Sequence, residues 1–124
     1  MSPHAILVVD DDRLTRESLA DILDDLGANT SLAVDGIQAL AMVSNRLPDL
    51  VISDIDMPDI SGFELLARMQ RQAIATPMLL MSARADSNLR HQAGLAGAIG
   101  LLDKPVSVRP LAVMLHAALN WPSL

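Results

Sequence analysis

Two clusters of carboxylates, Asp10-Asp11-Asp12 and Asp54-Ile55-Asp56, an isolated serine, Ser82, and an isolated lysine, Lys104, are the residues equipped for chemistry. Each follows a short aliphatic run: Ala5 to Val9, Leu50 to Ser53, Met78 to Met81, and Ile99 to Leu102. A charged group at the end of a buried strand is costly unless it has a partner. Three carboxylates brought together repel one another, and a divalent cation is the usual remedy. Oxygen-only ligands favour Mg²⁺ or Mn²⁺, and Mg²⁺ typically takes one or two carboxylates, a carbonyl, waters and phosphate oxygens. Lys104 offers a point charge for a phosphate oxygen, and Ser82 a short hydroxyl donor. A carboxylate beside a metal, an ammonium and a hydroxyl can accept a phosphoryl group. Singly these residues are ordinary, since an Asp after a strand is commonly a cap and acids suit the start of a helix. Jointly they are not, because each ends a different strand in one consistent order.

The elements that must position them follow from periodicity. Ala5 to Val9 reads as the first strand, and Leu19, Ile22, Leu23 and Leu26 form the stripe of an amphipathic helix closed by Gly27. Asn29 to Val34 is a weaker strand, and Ile37, Leu40, Ala41 and Ser44 give a second helical stripe, ended near Pro48. After the strand at Leu50, Ser61 and Glu64 have the spacing of a capping box, and Phe63, Leu65, Leu66 and Met69 supply a third helical face. Pro77 opens the strand Met78 to Met81. A fourth helix is expected over Arg84 to Gln92, anchored by Leu89 and Ala93 and broken by Gly94 and Gly97. Ile99 to Leu102 makes the fifth strand. Ser107 caps a last helix whose inner face is Leu111, Met114, Leu115 and Ala118 and which Trp121-Pro122 ends. Pro110 falls in its tolerated first turn.

Five strands alternating with five helices imply an α/β fold, a parallel sheet covered on both faces. In such sheets ligands bind outside the carboxyl ends of the strands, where the candidate residues gather. At 124 residues the chain is expected to be one domain over 1–124, its last helix leaving no room for an output or catalytic domain. A net charge of −6 argues against nucleic-acid binding, and the absence of cysteine excludes disulfides and thiol chemistry. The N-terminus has no basic n-region, and no apolar stretch approaches the roughly 18–20 residues of a membrane span. A cytoplasmic location is expected.

Val8-Val9-Asp10-Asp11, Asp54-Ile55-Asp56-Met57-Pro58, Ser61-Gly62, Ser82-Ala83 and Lys104-Pro105 together make the chain resemble a response-regulator receiver domain of two-component signalling, over essentially its whole length. The resemblance implies a flavodoxin-like (βα)5 three-layer sandwich with strand order 2-1-3-4-5, and Asp54 as phospho-acceptor. It also implies Mg²⁺ (or Mn²⁺) held by Asp11, Asp54 and the backbone carbonyl of Asp56, with Asp10 assisting through water. Ser82 would hydrogen-bond the phosphoryl group as the switch, and Lys104 would pair with it. The donor would be a phosphohistidine on a kinase or phosphotransfer protein, and the domain would catalyse only its own phosphorylation and dephosphorylation.

Four positions depart from the family pattern. Leu101 stands where an aromatic residue usually rotates inward, Ile99-Gly100 where acids are common, and Val106 where Phe is common. These weigh against the usual dimerisation across the fourth helix, fifth strand and fifth helix. Asp56 replaces the commoner Met or Asn; its charge would disfavour anions beside Asp54, with Arg84 as a partial offset, or its side chain would instead help hold the metal or orient a hydrolytic water. Two alternatives accompany this reading. Asp54-x-Asp56 also resembles the nucleophile and acid/base pair of a haloacid-dehalogenase-type phosphatase, although that family's further acids follow its lysine. A pseudo-receiver that serves only for docking is the other.

Overall fold

The computed structural model describes residues 4–120, in which strands and helices alternate: β1 (Ala5–Val9), α1 (Arg13–Asp25), β2 (Asn29–Ala33), α2 (Gly36–Asn45), β3 (Leu50–Asp54), α3 (Gly62–Arg71), β4 (Met78–Ser82), α4 (Ser87–Ala96), β5 (Gly100–Asp103) and α5 (Val108–Leu119). All strand pairs are parallel, in the order β2-β1-β3-β4-β5.

Period-two alternation splits the strands into two apolar faces. Ile6, Val8, Leu50, Ile52, Leu79 and Met81 pack against Leu19 and Leu23 of α1 and Leu111 and Leu115 of α5. Leu7, Val9, Val51, Met78, Leu80 and Leu101 face the other way, against Ala39 and Val43 of α2, Leu65, Leu66 and Met69 of α3, and Ala93 of α4. β3 and β4 are buried along their full lengths, as a strand covered on both faces must be. Each fully buried Leu or Met contributes on the order of 1.5–3 kcal/mol. Both layers are aliphatic and methionine-rich because the chain has one Phe, one Trp and no Tyr.

Several local expectations are corrected. In α2 the buried positions are Gly36, Ala39 and Val43, while Ile37, Ala41 and Ser44 are exposed and Leu40 is half-buried. This helix is apolar nearly all round, so its phase is set by a tertiary contact: Gly36 lies so close to Ile60 that any Cβ there would clash with that side chain. α4 runs from Ser87 to Ala96 instead of Arg84 to Gln92. Asp86 starts it by accepting the Leu89 N–H at 2.7 Å, and Gly94 is tolerated on the exposed side. Gly97 alone ends the helix, in the left-handed conformation at φ 98° that glycine adopts freely. Ser61 caps α3 through the Glu64 N–H at 3.1 Å, but the Glu64 carboxylate accepts from Arg68 and Arg71. Ser107 occupies the N-cap position of α5 without a side-chain cap bond. The helix end assigned to Trp121-Pro122 lies outside the described residues.

Candidate functional site

The strand register carries the singled-out residues to one edge of the sheet. Val9 pairs with Ser53, Asp54 with Met81, and Ser82 with Asp103, so Asp10, Asp54, Ser82 and Lys104 all emerge at the carboxyl ends of neighbouring strands. Asp10 is fully buried, and Asp54 and Ser82 are nearly so. The Lys104 ammonium bridges the two carboxylates, 2.9 Å from Asp10 Oδ2 and 3.2 Å from Asp54 Oδ2. The Lys104–Pro105 peptide that follows is cis.

Backbone contacts fix the loops that carry these groups. Asp10 Oδ1 accepts the Asp12 N–H at 2.9 Å, and Asp12 caps α1 by accepting from both the N–H and the hydroxyl of Thr15, which holds its carboxyl below the usual range. Of the three aspartates, the last is therefore a helix cap. Arg16, one turn into α1, reaches back to donate to the Asp10 carbonyl at 2.7 Å. Gly62 packs so tightly on the loop after β3 that a Cβ would lie 2.5 Å from the Asp54 carbonyl oxygen. Asp59, in the same loop, accepts the Gly36 and Ile37 N–H groups at 3.2 and 2.7 Å and so ties the loop to the start of α2. Partial burial works against the Asp59 charge, but these N–H donors and that of Ile60 prevail and lower its pKa. Arg16 and Asp59 carry no sequence signal of their partners, which lie 6 and 22–23 residues away.

The electrostatics show a shortage of positive charge. Burial, and then repulsion from Asp10, raise the Asp54 carboxyl above its ordinary value, although Lys104 and the Asp56 N–H act against that. Burial alone would lower the Lys104 pKa, yet the hydrogen bond and charge of Asp10, followed by those of Asp54, leave it raised. One ammonium serves two buried carboxylates and is held firmly protonated by them, without fully compensating Asp54.

The same edge passes the test for a divalent cation. Asp10, the exposed Asp11 and Asp54 each offer a carboxylate oxygen within 4.8 Å of the others. Asp10 Oδ2 is buried and, the Lys104 contact aside, receives no hydrogen bond. An all-oxygen set with surplus negative charge and an open side at Asp11 suits Mg²⁺ or Mn²⁺. Asp56 is exposed, two residues past Asp54. Ser82 Oγ accepts the Arg84 N–H at 3.0 Å. Leu101, standing where an aromatic was expected to rotate, is 6% exposed and already packed in the core.

Comparison with known proteins agrees with this architecture. The chain is 41% identical over 122 residues to the response regulator MprA of Mycobacterium sp. (strain KMS), covering 98% of the chain and 53% of that protein. It thus spans about half the length of the curated relatives it matches. Among solved structures, the Vibrio cholerae chemotaxis protein CheY4 superposes with a TM-score of 0.84 at 33% identity, covering 94% of this chain and 99% of that one. The receiver domain of the Francisella response regulator 1452 gives 0.87 at 27% identity, covering 93% and 95%. Residues 6–116 match the response regulator receiver domain family. With that match spanning nearly all of the described residues, and the strand order and acidic edge the resemblance implied, the chain belongs to the receiver domains of two-component response regulators.

Proposed function

We propose that this receiver takes a phosphoryl group from a phosphohistidine, on a kinase or a phosphotransfer protein, onto the carboxylate of Asp54. In the transfer the P–N bond to imidazole breaks, a P–O bond to Asp54 forms, and the released imidazole takes up a proton. The observation that carries the reading is the buried Asp54 carboxylate, 3.2 Å from the Lys104 ammonium and within 4.8 Å of two further carboxylates. Asp11, Asp54 and the Asp56 carbonyl would hold Mg²⁺, with Asp10 acting through water. A bound Mg²⁺ would supply the positive charge that offsets repulsion between an incoming phosphoryl group and this acidic edge.

The protein's own part is positioning and charge. Lys104 is placed to accompany the phosphoryl oxygens, since the modification brings close to two negative charges at neutral pH. Ser82, nearly buried at the same edge, carries the short hydroxyl that would turn to serve as their donor. Asp56 carries an exposed charge beside the acceptor, which disfavours anionic small-molecule donors and tunes the lifetime of the modified state. The modified edge would then alter a surface used by a downstream protein. No separate substrate is turned over on this reading, and the chain acts as one receiver unit across 1–124. We place its work in the cytoplasm, with its kinase or phosphotransfer partner. Among the described residues no helix is long and apolar enough to cross a membrane.

Incubation with acetyl phosphate and Mg²⁺ followed by intact-mass measurement tests the proposal. A gain of one phosphate that is lost on chelation and in Asp54→Asn is expected. Absence of an adduct in the wild type would favour the docking-only alternative. Steady release of phosphate from small esters with no adduct would favour the phosphatase.

A further inference from the structure

The position where a receiver's aromatic switch is expected is occupied by Leu101, whose side chain is already buried beside the α4 residue Ala93, so nothing there can turn inward. A different connection joins the phosphoryl edge to α4. Alternation along β5 sends neighbouring residues to opposite faces of the sheet. Lys104 reaches the carboxylates, and Asp103 points toward α4, where it meets Arg90. The Arg90 guanidinium grips β5 twice, donating to the Leu101 carbonyl at 2.8 Å and to Asp103 Oδ2 at 3.1 Å.

α4 has little else to hold it. Ala93 is its one buried side chain, Leu89 and Ala96 are only partly covered, and Leu95 is 76% exposed. Its C-terminus is tied by Gln70, which donates to the Ala96 carbonyl at 3.0 Å. An element with one buried side chain and a few polar ties lies at the low end of local stability. At its N-terminal side the approach from β4 is fastened by Ser82 Oγ, which accepts the Arg84 N–H. Ser82 is also bonded through its carbonyl to the Lys104 N–H, so this fastening and the Arg90 grip on Asp103, unlike the Gln70 tie, abut residues that face the phosphoryl group.

We propose that Arg90 is a latch that holds α4 against β5 in the unmodified domain and is released when Ser82 and Lys104 turn to a phosphoryl group on Asp54. The opening step rests on the phosphorylation reading above; the holding step does not. A turn of the Ser82 side chain toward Asp54 would draw its Oγ away from the Arg84 N–H that it now accepts. Rotation toward Asp54 frees residues 83–86, and the first turn of α4, which contains Arg90, moves with them. The readout of this receiver is then the freed α4 face in place of a rotating ring.

Hydrogen exchange of the whole chain, with and without beryllofluoride and Mg²⁺, tests both steps in wild type, Arg90→Met and Asp103→Asn. Arg90 is about half exposed, so Arg90→Met should fold, and unchanged protection in β1, β3 and β4 would show that it has. In the unmodified state, exchange over residues 87–92 is expected to rise about tenfold in Arg90→Met, from the loss of a charged hydrogen bond, and less in Asp103→Asn. Wild type with beryllofluoride should reach the level of unmodified Arg90→Met, which should itself change little further. Equal α4 protection in unmodified wild type and Arg90→Met overturns the latch. Beryllofluoride that protects residues 54–62 while leaving α4 protected overturns its release. No beryllofluoride effect anywhere sinks the phosphorylation reading and the release with it, and the unmodified pair still decides the holding step.

Discussion

Replacing Lys104 with methionine removes the one ammonium that serves Asp10 and Asp54 while roughly keeping its volume and flexibility. Both carboxylates are buried, and the Lys104 side chain is 16% exposed. Breaking a buried ion pair from one side costs about 3–5 kcal/mol. The solvent access at Lys104 and Asp11 puts this case at the low end, about 3 kcal/mol. A domain typically has about 5–15 kcal/mol in hand, so Lys104→Met should still fold while losing phosphoryl uptake. The loss should depend on pH with a definite sign. Burial and then Asp10 already hold the Asp54 pKa above its unfolded value of 3.8, and losing Lys104 raises it further. Between those values the folded state binds more protons than the unfolded, so stability rises as pH falls. The deficit of the variant should therefore shrink as pH falls through the raised value toward 3.8, and Mg²⁺ at neutral pH should recover part of it. Urea unfolding across that pH range, with and without Mg²⁺, measures all three effects. A loss below about 0.5 kcal/mol, the range of an exposed pair, or one that does not vary with pH, would refute the charge balance assigned to this edge.

Other consequences are equally direct. Asp59→Ala should cost about 1 kcal/mol in urea unfolding at pH 7, the usual value of a helix cap. Because backbone N–H groups depress the Asp59 pKa, that contribution should be present above pH 3.8 and disappear as pH falls through the depressed value, so the two proteins should converge in acid. Gly62→Ala should cost about 1–3 kcal/mol by thermal unfolding and slow acetyl phosphate uptake, since the Asp54 carbonyl cannot move aside without shifting its own carboxylate. Asp56→Asn should speed uptake from acetyl phosphate about threefold to fivefold at low salt, the effect of removing ~1 kcal/mol of like-charge repulsion, and less at high salt. Wild type should lose stability as pH rises from about 10.5 through the raised pKa of Lys104, a loss that Lys104→Met should not show.

The order of elements and the gathering of Asp10, Asp54, Ser82 and Lys104 were legible because both follow from one-dimensional patterns. Buried strands read as aliphatic runs, and a parallel sheet sends every strand end to the same edge. The phase of α2 was not legible, because Gly36 to Val43 offers more than one apolar stripe and only the close approach of Ile60 selects Ala39 and Val43. The start of α4 falls at the Asp86 cap and not at Arg84, because a polar run carries little periodicity from which to place a boundary. Arg16, Asp59 and Arg90 were missed for a different reason. Each acts on a backbone group of another element, and one-dimensional spacing does not specify which carbonyl or N–H a long side chain will meet. The burial of Leu101 likewise became visible only when its neighbours were placed.

The central claim is that Asp54, and no other carboxylate of this acidic edge, carries the phosphoryl group. Treating the acetyl phosphate-modified protein with borohydride reduces an acyl phosphate to the alcohol, and peptide sequencing by mass spectrometry then locates the change. Homoserine at position 54, absent when Mg²⁺ is chelated, is the predicted result. Homoserine at Asp11 or Asp56 in its place, or its absence throughout, would contradict the assignment.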